Sequence, residues 1–294
     1  MILFYKTFGQ KNHHRLLDAL YKYAPTPKYM YNTVDFSSHT RMNMKADAIV
    51  FAGIIRGSGN IFKWCINNKK RFLYLDHAYI NRGYNEHDPG REWMRITDSG
   101  FLWNKMEDQS SARWDELFAK EHQLSPWMVN KSRPNILVLP PSLSTQALYP
   151  DSKEWIGLTL KALRENTNRN VVIREKPLQV ETHSITNQVI RPVKIQHERT
   201  IDSELADAYC VVTYNSAVAV QATIMGIPVF TSPNAAAAPM SINLTEIDNP
   251  AEPQRQRWLD QLVHHQFRTR EMLDGTIWDM IYKIDKNDLP LSAQ

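Results

Sequence analysis

Short apolar runs alternate with amphipathic stretches through the first quarter of the chain. The apolar positions of residues 12–23 recur every three or four residues and predict a helix, and residues 61–67 do the same. Four apolar runs predict strands, at residues 2–5, 28–31, 48–51 and 71–75. Strands and helices that alternate in this way indicate βαβ units with a parallel sheet.

A second alternating block begins near residue 135. Its apolar runs predict strands at residues 136–139, 171–173, 209–212 and 227–230. Its amphipathic stretches predict helices at residues 155–163, 205–208, 217–225, 255–266 and 270–282. The pattern therefore predicts a second α/β unit that ends in two helices.

The segment between the blocks, residues 76–123, has no regular period in its first half. It combines glycine, proline and many charges with seven aromatic residues. Long irregular segments in compact domains are usually functional or disordered, and the aromatic residues argue against disorder. We expect this segment to carry function.

A chain of 294 residues is long enough for two domains. We predict an α/β protein with two Rossmann-like domains that face each other across a cleft. The N-terminal domain spans residues 1–125 and the C-terminal domain residues 134–294, with the boundary near residues 123–133. The final helices are expected to pack back on the first domain.

Composition excludes several classes of protein. Apolar residues make up 43% of the chain and charged residues 22%, which is typical of a globular protein and not of a disordered one. The two cysteines are too few for a disulfide framework and suit a reducing cytosol. The longest apolar stretch, residues 217–230, is interrupted by polar residues and is too short to span a bilayer. We therefore expect a cytoplasmic protein without a signal peptide or a membrane span.

A glycine-rich turn follows the strand at residues 48–51. Gly57 and Gly59 precede a predicted helix, and backbone amides at such a helix start bind anions. The alternative is an ordinary βα turn, in which glycine is common. Arg56 favours phosphate, because a guanidinium group matches the geometry of phosphate oxygens.

Asp76 and His77 directly follow the strand at residues 71–75. Ligands of open parallel sheets bind beyond the carboxyl ends of the strands. A carboxylate can orient an imidazole, and histidine is the usual general base near neutral pH. The alternative is a helix-capping Asp76 and a packed His77.

Arg174 and Lys176 follow the strand at residues 171–173 and can clamp a diphosphate. A solvated surface cluster is the alternative. Asn215 and Ser216 end the next strand, and a helix of small residues begins there with Ser216 as its N-cap. The start of that helix, including Ala217, is expected to face a bound ligand.

The run from Asn215-Ser216 to Phe230 resembles the nucleotide-binding unit of two-domain glycosyltransferases of the GT-B architecture. It is most similar to capsule-polysaccharide synthesis proteins and polysialyltransferase-like enzymes, with Lys176-Pro177 where those have His-Pro. Residues 74–79 and 93–97, and the tail from Trp258 to Trp278, resemble glycosyltransferase-like proteins of phages.

This resemblance implies transfer of a sugar from a nucleotide-sugar donor, a UDP-sugar, without a cofactor. The donor would be held by residues of both halves: Arg56, Arg174, Lys176, Asn215, Ser216 and Ala217. Asp76 or His77 would be the catalytic base, and Arg82 and Arg95 would stabilise charge on the departing phosphate. No Asp-x-Asp motif occurs, so we expect no metal.

The resemblance to phage proteins implies an acceptor hydroxyl on a modified, hydroxymethylated base in duplex DNA, which the enzyme would extrude from the stack. The alternative acceptor is a capsule or surface glycan. An alternative of another class is a protein that binds a nucleotide sugar without catalysis.

Overall fold

The computed structural model describes residues 1–7, 11–54, 57–81, 93–103, 109–127, 132–182 and 189–283. The chain divides into two compact units, one of Met1–Gly100 with Gln266–Gln294 and the other of Phe101–His265. These units differ from the predicted domains because the stretch after residue 100 bonds to a later part of the second unit. The Arg113 guanidinium donates to the carbonyl of Val263 at 2.9 Å.

The elements, in chain order, have the following bounds. The described strands are β1 (Ile2–Lys6), β2 (Lys28–Asn32), β3 (Ala48–Ala52), β4 (Phe72–His77), β5 (Trp93–Asp98), β6 (Asn135–Leu139), β7 (Asn170–Ile173), β8 (Leu178–Thr182), β9 (Val189–Lys194), β10 (Ala208–Thr213), β11 (Val229–Thr231) and β12 (Gln266–Arg268). The described helices are α1 (Lys11–Tyr23), α2 (Thr40–Lys45), α3 (Ser58–Asn67), α4 (Ala112–Leu117), α5 (Leu143–Leu148), α6 (Trp155–Asn166), α7 (Ile201–Asp207), α8 (Val218–Ile224), α9 (Arg255–Leu262), α10 (Thr269–Leu273) and α11 (Thr276–Lys283).

The first unit is built on a sheet whose described strands run in the order β12-β5-β4-β3-β1-β2. Strands β2, β1, β3 and β4 pair in parallel, as the alternation of strands and helices predicted. Strand β5 pairs antiparallel with both β4 and β12. The unit is therefore a parallel βαβ sheet extended at one side by two strands.

The C-terminal segment completes the core of the first unit. Phe267, Met272 and Ile277 are buried in one apolar cluster with Phe4 and Leu17. The indole of Trp278 donates to the carbonyl at the end of α1, Leu20 O, at 2.9 Å. A buried Trp indole usually has such a partner, so this bond helps to hold α11 against α1.

The second unit contains a sheet of four described strands, all parallel, in the order β11-β10-β6-β7. Strands buried on both faces are apolar throughout, and every residue of β10 is buried. Strands β8 and β9 form a separate antiparallel pair. The prediction of an α/β protein with parallel sheets is confirmed.

Two sequence predictions about the middle and the end of the chain are wrong. Residues 93–98 form β5, although they were expected to be irregular, because the charged residue Arg95 hides the apolar pattern of a strand that is buried. Residues 266–268 form β12, although Gln266 was expected to end one helix and no strand was expected before the next helix. Strand β5 pairs with β4, and β12 pairs with β5. Local periodicity cannot reveal such pairing between distant segments.

Gly226 ends α8 with φ of +76°, a backbone conformation that L-residues rarely adopt. A Cβ at this position would overlap the carbonyl oxygen of Pro126. We expect Gly226→Ala to lower the free energy of unfolding by about 2–4 kcal/mol, because the cost of the left-handed conformation adds to that of overpacking. Urea denaturation measures the change.

Gly157 supplies the matched control. It lies inside α6, and a Cβ there would meet no other atom within 4 Å. Gly157→Ala should therefore stabilise the protein by about 0.5–1 kcal/mol, because alanine loses less conformational entropy in a helix. Equal effects of the two substitutions would contradict the assignment of Gly226 as a conformationally required glycine.

No helix within the described ranges is long and apolar enough to cross a membrane.

Candidate functional site

The four parallel strands of the second unit end at the same side of their sheet. In parallel α/β sheets this is the side at which ligands bind. We call the segments that follow these strands the carboxyl edge of the second unit: residues 140–142 after β6, 174–176 after β7, 214–216 after β10 and 232–234 after β11. The edge contains several of the residues that the sequence predicted for donor binding.

The turn after β10 is fixed by short side chains. The Thr213 hydroxyl donates to the carbonyl of Leu139 at 2.8 Å and accepts the amide of Ser216 at 3.2 Å. The Ser216 hydroxyl in turn accepts the amide of Val218 at 3.2 Å. Ala217, and not Ser216 as predicted, is the N-cap residue of α8. The Ser216 hydroxyl still accepts a backbone amide of the first turn of α8. Ser216 therefore contributes to the cap from the residue before the N-cap.

Two polar atoms at the edge lack a hydrogen-bond partner among the described residues. They are the amide nitrogen Nδ2 of Asn215 and the hydroxyl oxygen of Thr231, and both are buried. Thr231 pairs in register with Thr213, so the two atoms belong to neighbouring strands close to their ends. Buried polar groups are rarely left unsatisfied in proteins, and a bound ligand is one way to satisfy them.

Tyr214 connects three segments at this edge. Its hydroxyl donates to Oδ2 of Asp151 at 3.0 Å and accepts from Nδ2 of Asn234 at 3.2 Å. Its backbone carbonyl accepts from the Ser232 hydroxyl at 2.6 Å. Neither Asp151 nor Asn234 was expected at the site from the sequence. The polar Ser232-Pro233-Asn234 sequence after an apolar strand was the signal available for Asn234, whereas nothing local pointed to Asp151.

An aromatic cluster supports Tyr214 from the side of α6. The rings of Tyr149 and Trp155 each lie 6.1 Å from the Tyr214 ring, centroid to centroid. Burial, together with the nearby Tyr214 and Asp151, raises the pKa of Tyr149 to about 12. Tyr149 therefore remains a neutral phenol at physiological pH, and the cluster positions Tyr214 without supplying a charge.

Arg174 is engaged within the second unit. Its side chain donates to Oε1 of Glu204 at 2.8 Å and to the carbonyl of Arg199 at 2.9 Å. Only 8% of the residue is exposed. The structure thus ties Arg174 to the start of α7, whereas the sequence predicted a diphosphate clamp. Lys176, two residues further on, is exposed and can approach an anionic ligand.

In the first unit, Asp76 and His77 lie inside β4 and not beyond it, because the strand continues through both residues. Consecutive strand residues point to opposite faces of a sheet. The Asp76 carboxylate accepts the Tyr74 hydroxyl at 2.6 Å and the Arg95 guanidinium at 2.9 Å. The side chain of His77 is exposed.

The pair of the buried Arg95 and the partly buried Asp76 lies at the centre of a network. Arg95 also donates to the carbonyl of His77 at 2.8 Å, and its guanidinium lies over the rings of Tyr74 and Tyr79. Burial alone would raise the pKa of Asp76. The Arg95 charge, His77 and the Tyr74 hydroxyl outweigh it and hold the pKa of this carboxyl well below its usual range. Such a carboxylate is a weak proton acceptor.

Of the two candidates for the base, His77 is the better placed for contact with a substrate. Arg95 is 4% exposed and forms an ion pair with Asp76. The guanidinium that was expected to stabilise charge on phosphate thus has a structural partner within the first unit. Arg56 and Arg82 lie outside the described residues. The donor-site candidates Lys176, Asn215 and Ser216 belong to the second unit, and Asp76 and His77 belong to the first.

The described residues contain no group of three His, Cys, Asp or Glu side chains that could hold a metal ion. The predicted independence from metals stays a prediction, as does the absence of a cofactor.

The fold of the chain is similar to that of solved proteins. The chain is similar to the beta Kdo 2,7 transferase KpsC of Thermosulfurimonas dismutans, with 11% sequence identity and a TM-score of 0.50, over 94% of this chain and 99% of that chain. It is also similar to the beta Kdo 2,4 transferase KpsC of the same organism, with 11% identity and a TM-score of 0.45, over 94% and 97% of the two chains.

No protein-family profile matches the chain, and no curated protein matches it in sequence. At 11% identity the first of these likenesses establishes a shared fold and nothing finer. The protein with which the fold is shared is a glycosyltransferase, the class that the sequence resembles.

Proposed function

We propose that this protein is a glycosyltransferase that moves a sugar from a nucleotide-sugar donor to a hydroxyl group of a capsule or surface glycan. The observation that carries the proposal is the polar carboxyl edge of the second unit, in a chain whose fold is shared with a Kdo transferase over 94% of its length. Ligands of parallel sheets bind at such edges.

The donor nucleotide would bind at the carboxyl edge. Asn215 offers an amide donor without a partner among the described residues, and Lys176 offers an exposed cation. A buried amide donor and a lysine together suit phosphate oxygens. Arg174 would act indirectly, by holding the loop after β7 against α7 through its bond to Glu204.

The acceptor assignment reverses the first expectation from the sequence. A solved structure that shares the fold is named a beta Kdo 2,7 transferase, which favours a capsule or surface glycan over DNA as the acceptor. Support for hydroxymethylated DNA comes from the sequence resemblance alone. His77 would remove the proton from the acceptor hydroxyl, since Asp76 is held by Arg95. The donor base, uridine by our expectation, and the independence from metals belong to the same proposal.

Nucleotide titration of two variants tests the donor site. We expect Lys176→Ala and Asn215→Ala each to weaken binding of a nucleoside diphosphate about tenfold, because each removes a hydrogen bond to a charged group. Isothermal titration with ADP, CDP, GDP and UDP measures this effect. Lys161→Ala is the matched control, since Lys161 is an exposed lysine on α6 outside the carboxyl edge. Unchanged affinity in both edge variants would contradict the placement of the donor.

A transfer assay tests the reaction and the acceptor. The wild-type protein is incubated with radiolabelled nucleotide sugars and with either oligosaccharides of capsule type or hydroxymethylated duplex DNA. Label incorporated into the oligosaccharide is the expected result. Label incorporated into DNA alone would contradict the glycan acceptor, and binding without transfer to any acceptor would support a non-catalytic sugar-nucleotide binder.

A further inference from the structure

Asp151 presents an exposed carboxylate beside the carboxyl edge of the second unit. It belongs to a short 3-10 helix, Pro150–Lys153, between α5 and α6. Its Oδ2 accepts the hydroxyl of Tyr214 at 3.0 Å. Because Tyr214 directly follows β10 and is 2% exposed, this bond anchors the carboxylate to the end of a central strand.

The orientation of the carboxylate is fixed by a chain of hydrogen bonds. Asn234, after β11, donates through Nδ2 to the Tyr214 hydroxyl oxygen at 3.2 Å. The amide has thus filled one acceptor position of the phenol, and the phenol proton points to Asp151. Ser232 holds the same turn by donating to the Tyr214 carbonyl at 2.6 Å. Two segments of the edge, those after β10 and β11, therefore act on one carboxylate.

The ion pairs of the described residues do not include Asp151. No lysine, arginine or histidine side chain in this part of the chain lies within 4.0 Å of its oxygens. A carboxylate has about four acceptor positions, and Tyr214 occupies one of them. Asp151 is therefore an exposed acceptor whose orientation is fixed through Tyr214.

The ligand chemistry follows from this geometry. No three metal-ligating side chains of the described residues come together, so a single carboxylate here does not make a cation site. Two oxygens of one carboxylate match two neighbouring hydroxyl groups, each of which donates one short, charge-assisted hydrogen bond. Asn215 Nδ2 and the Thr231 hydroxyl, both buried and without partners among the described residues, lie at the ends of the adjacent strands β10 and β11.

We propose that Asp151 binds a pair of neighbouring sugar hydroxyls of the ligand at this edge, with Tyr214 and Asn234 as positioning residues. The inference rests on the proposed function, because it assumes that a nucleotide sugar binds here. Such a hydroxyl pair has two sources, the ribose of the nucleotide and the sugar that is transferred. Asp151 would then determine which of these carbohydrates the site accepts.

The test compares affinities for matched ligands in the full-length protein. The probes are ADP, CDP, GDP and UDP, the 2′,3′-dideoxy form of each, and the corresponding glucose-linked nucleoside diphosphates, measured by isothermal titration. If the ribose is the source, the wild type should prefer the ribose form about tenfold or more over the dideoxy form. In Asp151→Asn this ratio should fall close to one.

Binding of the transferred sugar, the second source of the hydroxyl pair, predicts a different result. If the transferred sugar is bound, Asp151→Asn should weaken the glucose-linked nucleotide several-fold more than the bare diphosphate. Tyr214→Phe keeps Asp151 but removes the hydrogen bond that positions its carboxylate. This variant should therefore reduce whichever preference the wild type shows. If the role of Tyr214 were purely structural, the preference would be unchanged. Thermal unfolding of each variant establishes that it is folded.

Asp202→Asn is the matched control, because Asp202 is also exposed and also accepts one hydrogen bond from an uncharged group, the Gln221 amide. Its selectivity ratios should equal those of the wild type. Nucleotide binding with unchanged ratios in Asp151→Asn would overturn this inference and leave the proposed function standing. Failure of the wild type to bind any of the nucleotides would overturn both.

Discussion

Asp76→Asn is expected to lower the free energy of unfolding by about 3–5 kcal/mol, because it leaves the Arg95 guanidinium buried without its counter-charge. The substitution keeps the shape of the side chain and removes only the charge. Arg95 cannot turn outward easily, since it is buried and also bonds to the His77 carbonyl. Urea denaturation followed by circular dichroism measures the loss.

The same pair predicts a dependence of stability on pH. The pKa of Asp76 is lower in the folded protein than in the unfolded chain, where an aspartate titrates near about 3.9. Its contribution is therefore complete above about pH 5 and is lost as the pH falls through the unfolded and then the folded value. The wild-type protein should lose stability more steeply below pH 5 than Asp76→Asn does.

Two variants make this result interpretable. Asp98 pairs with Arg71 near the other end of β4 and β5, but in a more exposed position, so Asp98→Asn should cost only about 0–1 kcal/mol. His77→Ala should leave stability within about 0.5 kcal/mol and slow transfer about 10²–10⁴-fold as loss of the base. A stable Asp76→Asn protein with abolished transfer would instead restore Asp76 as the catalytic candidate.

Arg174→Ala should be comparably destabilising, by about 3–5 kcal/mol, because it removes the partner of the nearly buried Glu204 carboxylate. The second oxygen of Glu204 is buried without a partner among the described residues, so the remaining negative charge would be poorly satisfied. Thermal and urea unfolding measure the effect. We expect any change in nucleotide affinity to follow from this loss of structure.

The control uses an exposed ion pair between the residue before the N-cap of α7 and the last residue of that helix. Arg199 and Asp207 form an ion pair in which both side chains are largely exposed, and Arg199→Ala should therefore cost at most about 1 kcal/mol. Adding Glu204→Gln to Arg174→Ala should recover part of the stability, since it removes the uncompensated charge. A folded Arg174→Ala protein with wild-type stability and lost nucleotide binding would return Arg174 to the phosphate clamp.

The sequence determined most of the secondary structure and the class of fold. Strands such as β1, β3, β6 and β10 are continuous apolar runs because both of their faces are buried, and helix α1 has the periodicity of a helix with one apolar face. These patterns depend only on near neighbours along the chain. The same locality revealed that polar residues form the end of β4 and come after β7 and β10, which located Asp76, Arg174 and Asn215 near the ends of strands.

Only the tertiary structure decided what those side chains do. Arg95 and Asp76 lie 19 positions apart, and Arg174 and Glu204 lie 30 apart, so no local pattern reveals that each charge has a buried partner. Strand β5 escaped detection for the same reason, because its charged residue is stable in the interior only beside Asp76. Asp151 became a candidate through Tyr214, 63 positions away. Chemistry that depends on pairs distant in sequence is fixed by folding, because the free energy of a buried charge depends on its neighbours in space.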